Sequence, residues 1–206
     1  MEKFVRANLI FSTKPMHRLR IMNNIDLAIE QMVKHFRGIT RRGGAPYSVH
    51  PMLVMYRLCT WGIKDEDVLV TAIHHDTVED PNQEGNWYNA EDIRRDFGDA
   101  VHDDVMMLTF SPSFEHGTKE YREDKRMYLT HVADHGTIEA LVVKLADRIC
   151  NVEDFRLMKG SYHKKYKKKA APLFSAFRRR KEEFVVRFGK ETYKRIESEI
   201  GAKRND

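Results

Sequence analysis

Cysteine and long apolar stretches are both scarce in this chain. Only Cys59 and Cys150 occur among its 206 residues, and they do not form a CxxC pair. We therefore expect a reducing compartment, the cytoplasm, rather than a disulfide framework. No apolar run approaches the roughly 20 residues of a membrane-spanning helix, so no membrane is expected. Residues 1–6 contain no apolar core followed by small residues, and no secretory signal is expected.

Signals for β-structure are also missing from the sequence. Paired alternating segments, a βαβ pattern and internal repeats are all absent, whereas apolar residues recur at helical spacing between short loops. The length fits one domain. We predict an all-α bundle of about eight or nine helices, with a short strand or arm at the N-terminus. Its parts are an arm of unknown role at 1–18, a helical domain at 19–158 and a basic helical extension at 159–206 packed on that domain.

Polar capping residues mark several predicted helix starts, because a side-chain oxygen can accept from the free N–H groups of a first turn. The helix capped at Asp65 is predicted to run on to the Pro81-Asn82 dipeptide. One or two helices are predicted between 164 and 200, with a break near Gly189. The predicted caps are Asp65, Asn89, Thr118 and Thr137.

Positive charge is concentrated near the C-terminus. Ten Lys or Arg and no Asp or Glu occur between Lys159 and Lys181, which leaves the other residues at −5 within a total net charge of +5. Such a segment suits a polyanionic ligand or nucleic acid, although a run of this kind is most often a solvated helix face.

A crowded ionisable segment, 75–80, offers the strongest chemical signal. His75 and Glu79 are spaced i,i+4, as are Asp76 and Asp80, so the four side chains share one side of a helix. An imidazole and three carboxylates packed this closely repel one another unless a cation lies among them. We therefore predict a divalent metal at this segment.

A second segment, 144–151, carries a polar stripe on an otherwise apolar helix. Lys144, Asp147, Arg148 and Asn151 occur at i, i+3, i+4 and i+7, while apolar residues cover the rest of the helix. Buried charge without a partner is unfavourable. The segment at 75–80 is the candidate partner.

Three blocks of the sequence, taken in order, resemble the signature blocks of the HD-type hydrolase domain of the RelA/SpoT family. The resemblance covers about three fifths of the chain, and the match is closest to stand-alone small alarmone hydrolases. It implies that 19–158 is an HD hydrolase domain. The blocks are Arg41-Arg42-Gly43-Gly44-Ala45-Pro46-Tyr47-Ser48-Val49-His50-Pro51, His75-Asp76-Thr77-Val78-Glu79-Asp80 and Lys144-Leu145-Ala146-Asp147-Arg148-Ile149-Cys150-Asn151.

The resemblance implies a role for each matching residue. One Mn²⁺ per chain would be bound by His50, His75, Asp76 and Asp147. Glu79 and Asp80 match the catalytic acidic pair of the family. The implied substrate-binding residues are Arg41, which would stack on guanine, together with Arg42, Lys144, Arg148 and Asn151. Two questions stay open at this point. Lys144 and Arg148 either bind the substrate or only neutralise Asp147, and Tyr47 either packs the loop or touches the substrate.

The implied reaction is hydrolysis of the 3′-diphosphate of ppGpp or pppGpp to GDP or GTP and pyrophosphate. Two segments, 108–112 and 123–127, depart from the family pattern near the nucleotide pocket, so a second hypothesis is an HD phosphohydrolase acting on an adenine alarmone, the phosphate of NADPH or a nucleoside monophosphate. A third is a non-catalytic HD protein that binds a nucleotide or nucleic acid. We expect a small nucleotide rather than nucleic acid as the partner, and a homo-oligomer stays open.

Overall fold

Ten α-helices and no strand occur in residues 23–156 and 160–205, the part of the chain that the computed structural model describes. The predicted all-α class is confirmed. The N-terminal strand or arm was predicted for residues outside this part. No described helix is long and apolar enough to cross a membrane. The helices are α1 Asn24–His35, α2 Val49–Trp61, α3 Glu66–His74, α4 Ala90–Phe97, α5 Asp99–Leu108, α6 Lys119–His135, α7 Ile138–Arg156, α8 Gly160–Arg179, α9 Lys181–Phe188 and α10 Lys190–Asn205.

Helix α7 forms the centre of the fold. Every residue from 140 to 150 is buried, and the helix packs against α2, α3, α5, α6, α8 and α9. A helix enclosed on all sides must pair its polar side chains inside the protein, because buried unpaired charge is strongly unfavourable. Lys144, Asp147 and Arg148 of the polar stripe are buried in this way, as the sequence pattern predicts.

Helix α3 joins the two apolar clusters of the core. Val68 and Leu69 belong to the cluster around α7 and α2, whereas Val70 and Ile73 belong to a second cluster formed with α1, α4 and α5. Both faces of α3 are therefore buried. Its C-terminal end, which leads into the 75–80 segment, is held between the clusters.

The predicted extent of this helix is wrong, since α3 ends at His74 and residues 75–79 form turns. The Thr77 hydroxyl donates to the His74 carbonyl at 2.9 Å, and the Thr77 N–H donates to the same oxygen at 2.9 Å. These short-range bonds compete with the regular helical bonding pattern. One i,i+4 bond persists from the Asp80 N–H to the Asp76 carbonyl.

The C-terminal region contains three helices in its described part, where one or two were predicted. The additional break falls at Arg180, between α8 and α9, with a second at Gly189 (φ +87°) as predicted. Phe177 packs edge-on against Phe184 and stacks on Tyr193, with ring centroids 4.8 and 4.6 Å apart. This aromatic cluster is built from α8, α9 and α10, so the chain must turn between them.

Asp104 provides a pH-dependent contribution to stability. It is buried on α5 and accepts a hydrogen bond of 2.6 Å from the hydroxyl of Thr137. Burial and the charges of Glu139 and Asp103 raise the pKa of Asp104 to about 6, against about 4 in an unfolded chain. The folded state binds this proton more tightly, so the contribution is present below pH about 4 and is lost as the pH rises through 6.

We therefore expect Asp104→Asn to gain stability relative to the wild type as the pH rises from 4 to 7, by up to about 3 kcal/mol. Asparagine keeps an oxygen that can accept from Thr137. Urea unfolding of both proteins at several pH values measures the difference in the free energy of unfolding. A difference that does not change with pH would contradict the expectation.

Candidate active site

His75 is held in one tautomer at the end of α3. Its Nδ1–H donates to the carbonyl of Ala72 at 2.7 Å. Because a carbonyl only accepts, Nδ1 carries a proton, and Nε2 is the ring nitrogen that can offer a lone pair to a metal. Within the described residues this buried Nε2 has no hydrogen-bond partner, and it lies 3.2 Å from Oδ1 of Asp76. Metal-binding histidines are held in this manner.

The other two predicted ligands come from α2 and α7. Nε2 of His50, in the first turn of α2, lies 3.2 Å from Oδ1 of Asp147 and 3.7 Å from Oδ2 of Asp76. The same Asp147 oxygen lies 3.9 Å from Nε2 of His75. Ligand atoms of His50, His75 and Asp76 all lie within 4.8 Å of one another. Helices α2 and α7 and the end of α3 thus bring the four predicted ligands together.

The protonation of these groups suits a cation. Burial lowers the pKa of His50, which favours the neutral imidazole. Burial also acts to raise the pKa of Asp147, but the cations Lys144 and Arg148 outweigh it and hold that pKa well below its usual range. For Asp76 the effect of burial is outweighed by the imidazoles of His75 and His50, and its pKa is lowered too.

Carboxylates and imidazoles form a mixed nitrogen and oxygen donor set, which suits a divalent ion. The buried Nε2 of His75 also has no hydrogen-bond partner among the described residues. The residues present at this site therefore fit a divalent metal.

Lys144 and Arg148 lie against Asp147. The Lys144 Nζ is 3.4 Å and the Arg148 Nε is 3.6 Å from Oδ2 of Asp147, and both side chains are buried. These contacts favour the alternative in which the two cations neutralise Asp147. They also leave Oδ1 of Asp147 facing the two histidines.

Asp80 is joined to Asp76 through a tyrosine. The Tyr47 hydroxyl lies 3.0 Å from Oδ2 of Asp76 and also hydrogen-bonds Oδ2 of Asp80. Burial and the charge of Asp76 raise the pKa of Asp80 to about 6. Burial and both carboxylates raise the pKa of Tyr47 above its usual value, so its hydroxyl stays protonated.

Glu79 contacts different partners from its neighbour Asp80. Its Oε2 accepts from the backbone N–H of Phe110 at 3.0 Å, and its Oε1 lies 3.2 Å from Nζ of Lys125. The Lys125 ammonium also lies 4.5 Å from the centroid of the Phe110 ring. The two segments that depart from the family pattern therefore both contact Glu79.

The Arg41 loop lies beside these carboxylates. The Arg41 N–H donates to the Ala45 carbonyl and the Gly44 N–H donates to the Arg41 carbonyl, both at 2.8 Å, and Gly44 has a φ of +84°. The Arg41 Nη2 donates to Oδ1 of Asn151 at 2.7 Å, and Nδ2 of Asn151 donates to Oδ1 of Asp147. Arg42 is exposed on the same loop. Arg41 and Asn151 are thus linked to the ligand cluster, and Arg42 extends the positive charge toward solvent.

Sequence reasoning missed three contributors. Lys125 and the Phe110 backbone occur in segments that were noticed only as departures from the family pattern. His35 is the third, since its Nε2–H donates to the carbonyl of Asp80 at 2.9 Å. The available signal was its position on α1, where it follows Met32 at helical spacing on the buried face.

The basic C-terminal segment is only partly described. The side chains of residues 159–169 lie outside the described part. Of the described arginines, Arg178 pairs with Glu197, Arg179 with Asp134, and Arg180 with both Glu183 and the Gly136 carbonyl. These three arginines pair with acidic side chains of the same chain at its surface, which offsets their charge.

Comparison with known proteins assigns the family. The HD domain pattern matches residues 28–183 of the chain. The chain belongs to the HD-domain family. The HD domain is similar to a GTP pyrophosphokinase of Streptomyces coelicolor, with 31% identity over 75% of this chain and 17% of that protein. It is also similar to the guanosine-3′,5′-bis(diphosphate) 3′-pyrophosphohydrolase MESH1 of Xenopus tropicalis, with 37% identity over 54% of this chain and 56% of that protein.

The relatives matched over most of this chain are much longer proteins. The chain spans 22% of the guanosine-3′,5′-bis(diphosphate) 3′-pyrophosphohydrolase of Aquifex aeolicus, at 26% identity over 81% of its own length. A solved structure of a metazoan ortholog of SpoT that hydrolyzes ppGpp aligns with a TM-score of 0.66. That alignment covers 88% of this chain and 95% of the solved chain, and at 23% identity it supports the fold alone.

Proposed function

We propose that this HD-domain protein hydrolyses the 3′-diphosphate of ppGpp or pppGpp, giving GDP or GTP and pyrophosphate. The observation that carries the proposal is the convergence of His50, His75, Asp76 and Asp147 beside the Asp80 carboxylate. The names of the Aquifex and Xenopus relatives support this choice of substrate.

The four converging residues would hold one Mn²⁺ per chain. When bound, a divalent ion stabilises negative charge on a phosphoryl group and makes water at the site more acidic. His75 presents its lone pair because Nδ1 is bonded to the Ala72 carbonyl, and Asp147 presents Oδ1 because its other oxygen faces Lys144 and Arg148.

Asp80 is the residue best suited to exchange a proton. Its pKa of about 6 lies near neutral pH, so its carboxylate can accept a proton from water and release it to the leaving group. Glu79 completes the acidic pair from the adjacent position, where Phe110 and Lys125 fix its carboxylate. Arg41 would stack on the guanine base, since its planar guanidinium is oriented by Asn151, which would lie near the ribose.

A second candidate function uses the same chemistry on another nucleotide. The contacts of Phe110 and Lys125 with Glu79 support this candidate, because they place the two segments that depart from the family pattern beside the acidic pair. Its substrates would be an adenine alarmone, the phosphate of NADPH or a nucleoside monophosphate.

A nucleotide panel tests the proposal. Purified protein is incubated with each nucleotide, with and without Mn²⁺, and the products are identified. We expect pyrophosphate and GDP from ppGpp only when the metal is present. Inorganic phosphate from NADPH or a monophosphate, without turnover of ppGpp, would replace the proposal with the second candidate. Binding without any turnover would indicate a non-catalytic HD protein.

A further inference from the structure

Tyr47 connects two carboxylates to which different roles are proposed. Its hydroxyl oxygen is 3.0 Å from Oδ2 of Asp76, a candidate metal ligand, and hydrogen-bonds Oδ2 of Asp80, the candidate proton acceptor. A tyrosine hydroxyl has one proton to donate, and here it donates that proton between two carboxylates. Without the hydroxyl, the like charges of the two carboxylates would push them apart.

The ring of Tyr47 is held firmly by its surroundings. It stacks on Phe36, with centroids 4.3 Å apart and an interplanar angle of 25°, and the Arg41 guanidinium lies 5.6 Å from its centroid. The Tyr47 N–H also donates to the Ile39 carbonyl at 2.9 Å. Ring and backbone contacts thus place the hydroxyl independently of the carboxylates, so the hydroxyl can orient them.

Asp80 is also restrained through its backbone. His35 donates from Nε2 to the Asp80 carbonyl at 2.9 Å, and this histidine is buried beside Phe36 and Tyr88. That bond fixes the backbone of Asp80 but leaves the torsions of its side chain undetermined. The bond from Tyr47 determines where the carboxylate itself lies.

We infer that Tyr47 is a positioning residue, whose hydroxyl holds the Asp80 carboxylate next to Asp76 and in reach of the reacting water. The inference rests on the proposed function for its kinetic consequence. Tyr47 acts through Asp80, and its hydroxyl is occupied by protein groups. An error of about 1 Å in the position of a reacting group can lower a rate about 100-fold.

Tyr47→Phe removes the hydroxyl and keeps the ring between Phe36 and Arg41. We expect kcat to fall by about 10- to 100-fold, with Mn²⁺ stoichiometry retained and KM nearly unchanged. Tyr88→Phe is the matched control. The Tyr88 ring packs on His35 and His74, at 5.7 and 5.4 Å between centroids. Within the described part of the chain, its hydroxyl makes no hydrogen bond to Asp76 or Asp80. This control should keep the wild-type kcat.

A double-variant cycle with Asp80→Asn separates positioning from general packing. If Tyr47 acts through Asp80, then adding Tyr47→Phe to Asp80→Asn lowers kcat no further. Additive losses, or a Tyr47→Phe protein as active as Tyr88→Phe, would overturn the inference.

Crystal structures with Mn²⁺ provide a readout that needs no turnover. The Asp80 carboxylate should turn away from Asp76 in Tyr47→Phe and stay in place in Tyr88→Phe. An unmoved carboxylate in Tyr47→Phe would overturn the inference even if the wild type hydrolyses ppGpp. A wild type inactive on ppGpp refutes the proposed function alone, and the structures still decide the role of Tyr47.

Discussion

Asp147→Asn is expected to abolish metal binding and turnover together. Oδ1 of Asp147 lies 3.2 and 3.9 Å from Nε2 of His50 and His75, and a neutral amide supplies neither the charge nor the same affinity for a divalent ion. The substitution also removes the counter-charge of the buried Lys144 and Arg148. We expect a loss of about 3 to 5 kcal/mol in the free energy of unfolding, as when one partner of a buried pair is removed.

Metal content by elemental analysis, turnover of ppGpp and urea unfolding measure these three effects. Asp104→Asn is the matched control, since it replaces another buried aspartate outside the ligand cluster and should keep both metal and activity. Circular dichroism verifies that the Asp147 variant is folded at the assay temperature. A folded Asp147→Asn protein that still binds one Mn²⁺ per chain would remove Asp147 from the proposed ligand set.

Asp80→Asn and Glu79→Gln are each expected to lower kcat by about 100-fold or more while the metal stays bound. Neither amide can accept a proton from water. Asp80→Asn removes a group with a pKa of about 6. Glu79→Gln keeps an oxygen that can accept from the Phe110 N–H but removes the charge that pairs with Lys125. Because the predicted ligands are unchanged in both variants, metal affinity should change little.

Glu84→Gln is the control for these two variants. Glu84 is exposed in the loop that follows Asp80 and contacts Asn86 there. Single-turnover kinetics with saturating Mn²⁺, together with metal titration, separate loss of chemistry from loss of the ion. Full activity of Asp80→Asn would exclude Asp80 as the proton acceptor. Full activity of Glu79→Gln would limit Glu79 to a structural role, in which it contacts Phe110 and Lys125.

Local chemistry made much of the fold predictable. Asp65, Asn89 and Thr118 each accept from a backbone N–H of the first turn of the helix that they precede, and the Thr137 hydroxyl accepts from the Ala140 N–H. A cap depends on residues within one turn of chain, so its sequence signal is reliable. The buried stripe of α7 was predictable for the same reason, because spacing alone defines the face of a helix.

The errors have two causes, one in the packing of distant residues and one in a local side-chain bond. The break at Arg180 has no glycine or proline to mark it, and it follows from packing of Phe177, Phe184 and Tyr193. The end of α3 at His74 depends on how Thr77 bonds the last carbonyl. Neither feature is visible in a helical periodicity.

The sequence by itself determined the chemistry of the candidate site. It places imidazoles and carboxylates in blocks that predict a cation, and it places Asp147 on a helix that is apolar around its polar stripe. Only the tertiary structure decided which atoms meet. Helices α2 and α7 and the end of α3 bring His50, His75 and Asp147 together. Tyr47 joins Asp76 to Asp80, and Glu79 pairs with Lys125. The physical reason is that spacing along a helix defines a face, whereas distances between helices depend on the packing of the whole core.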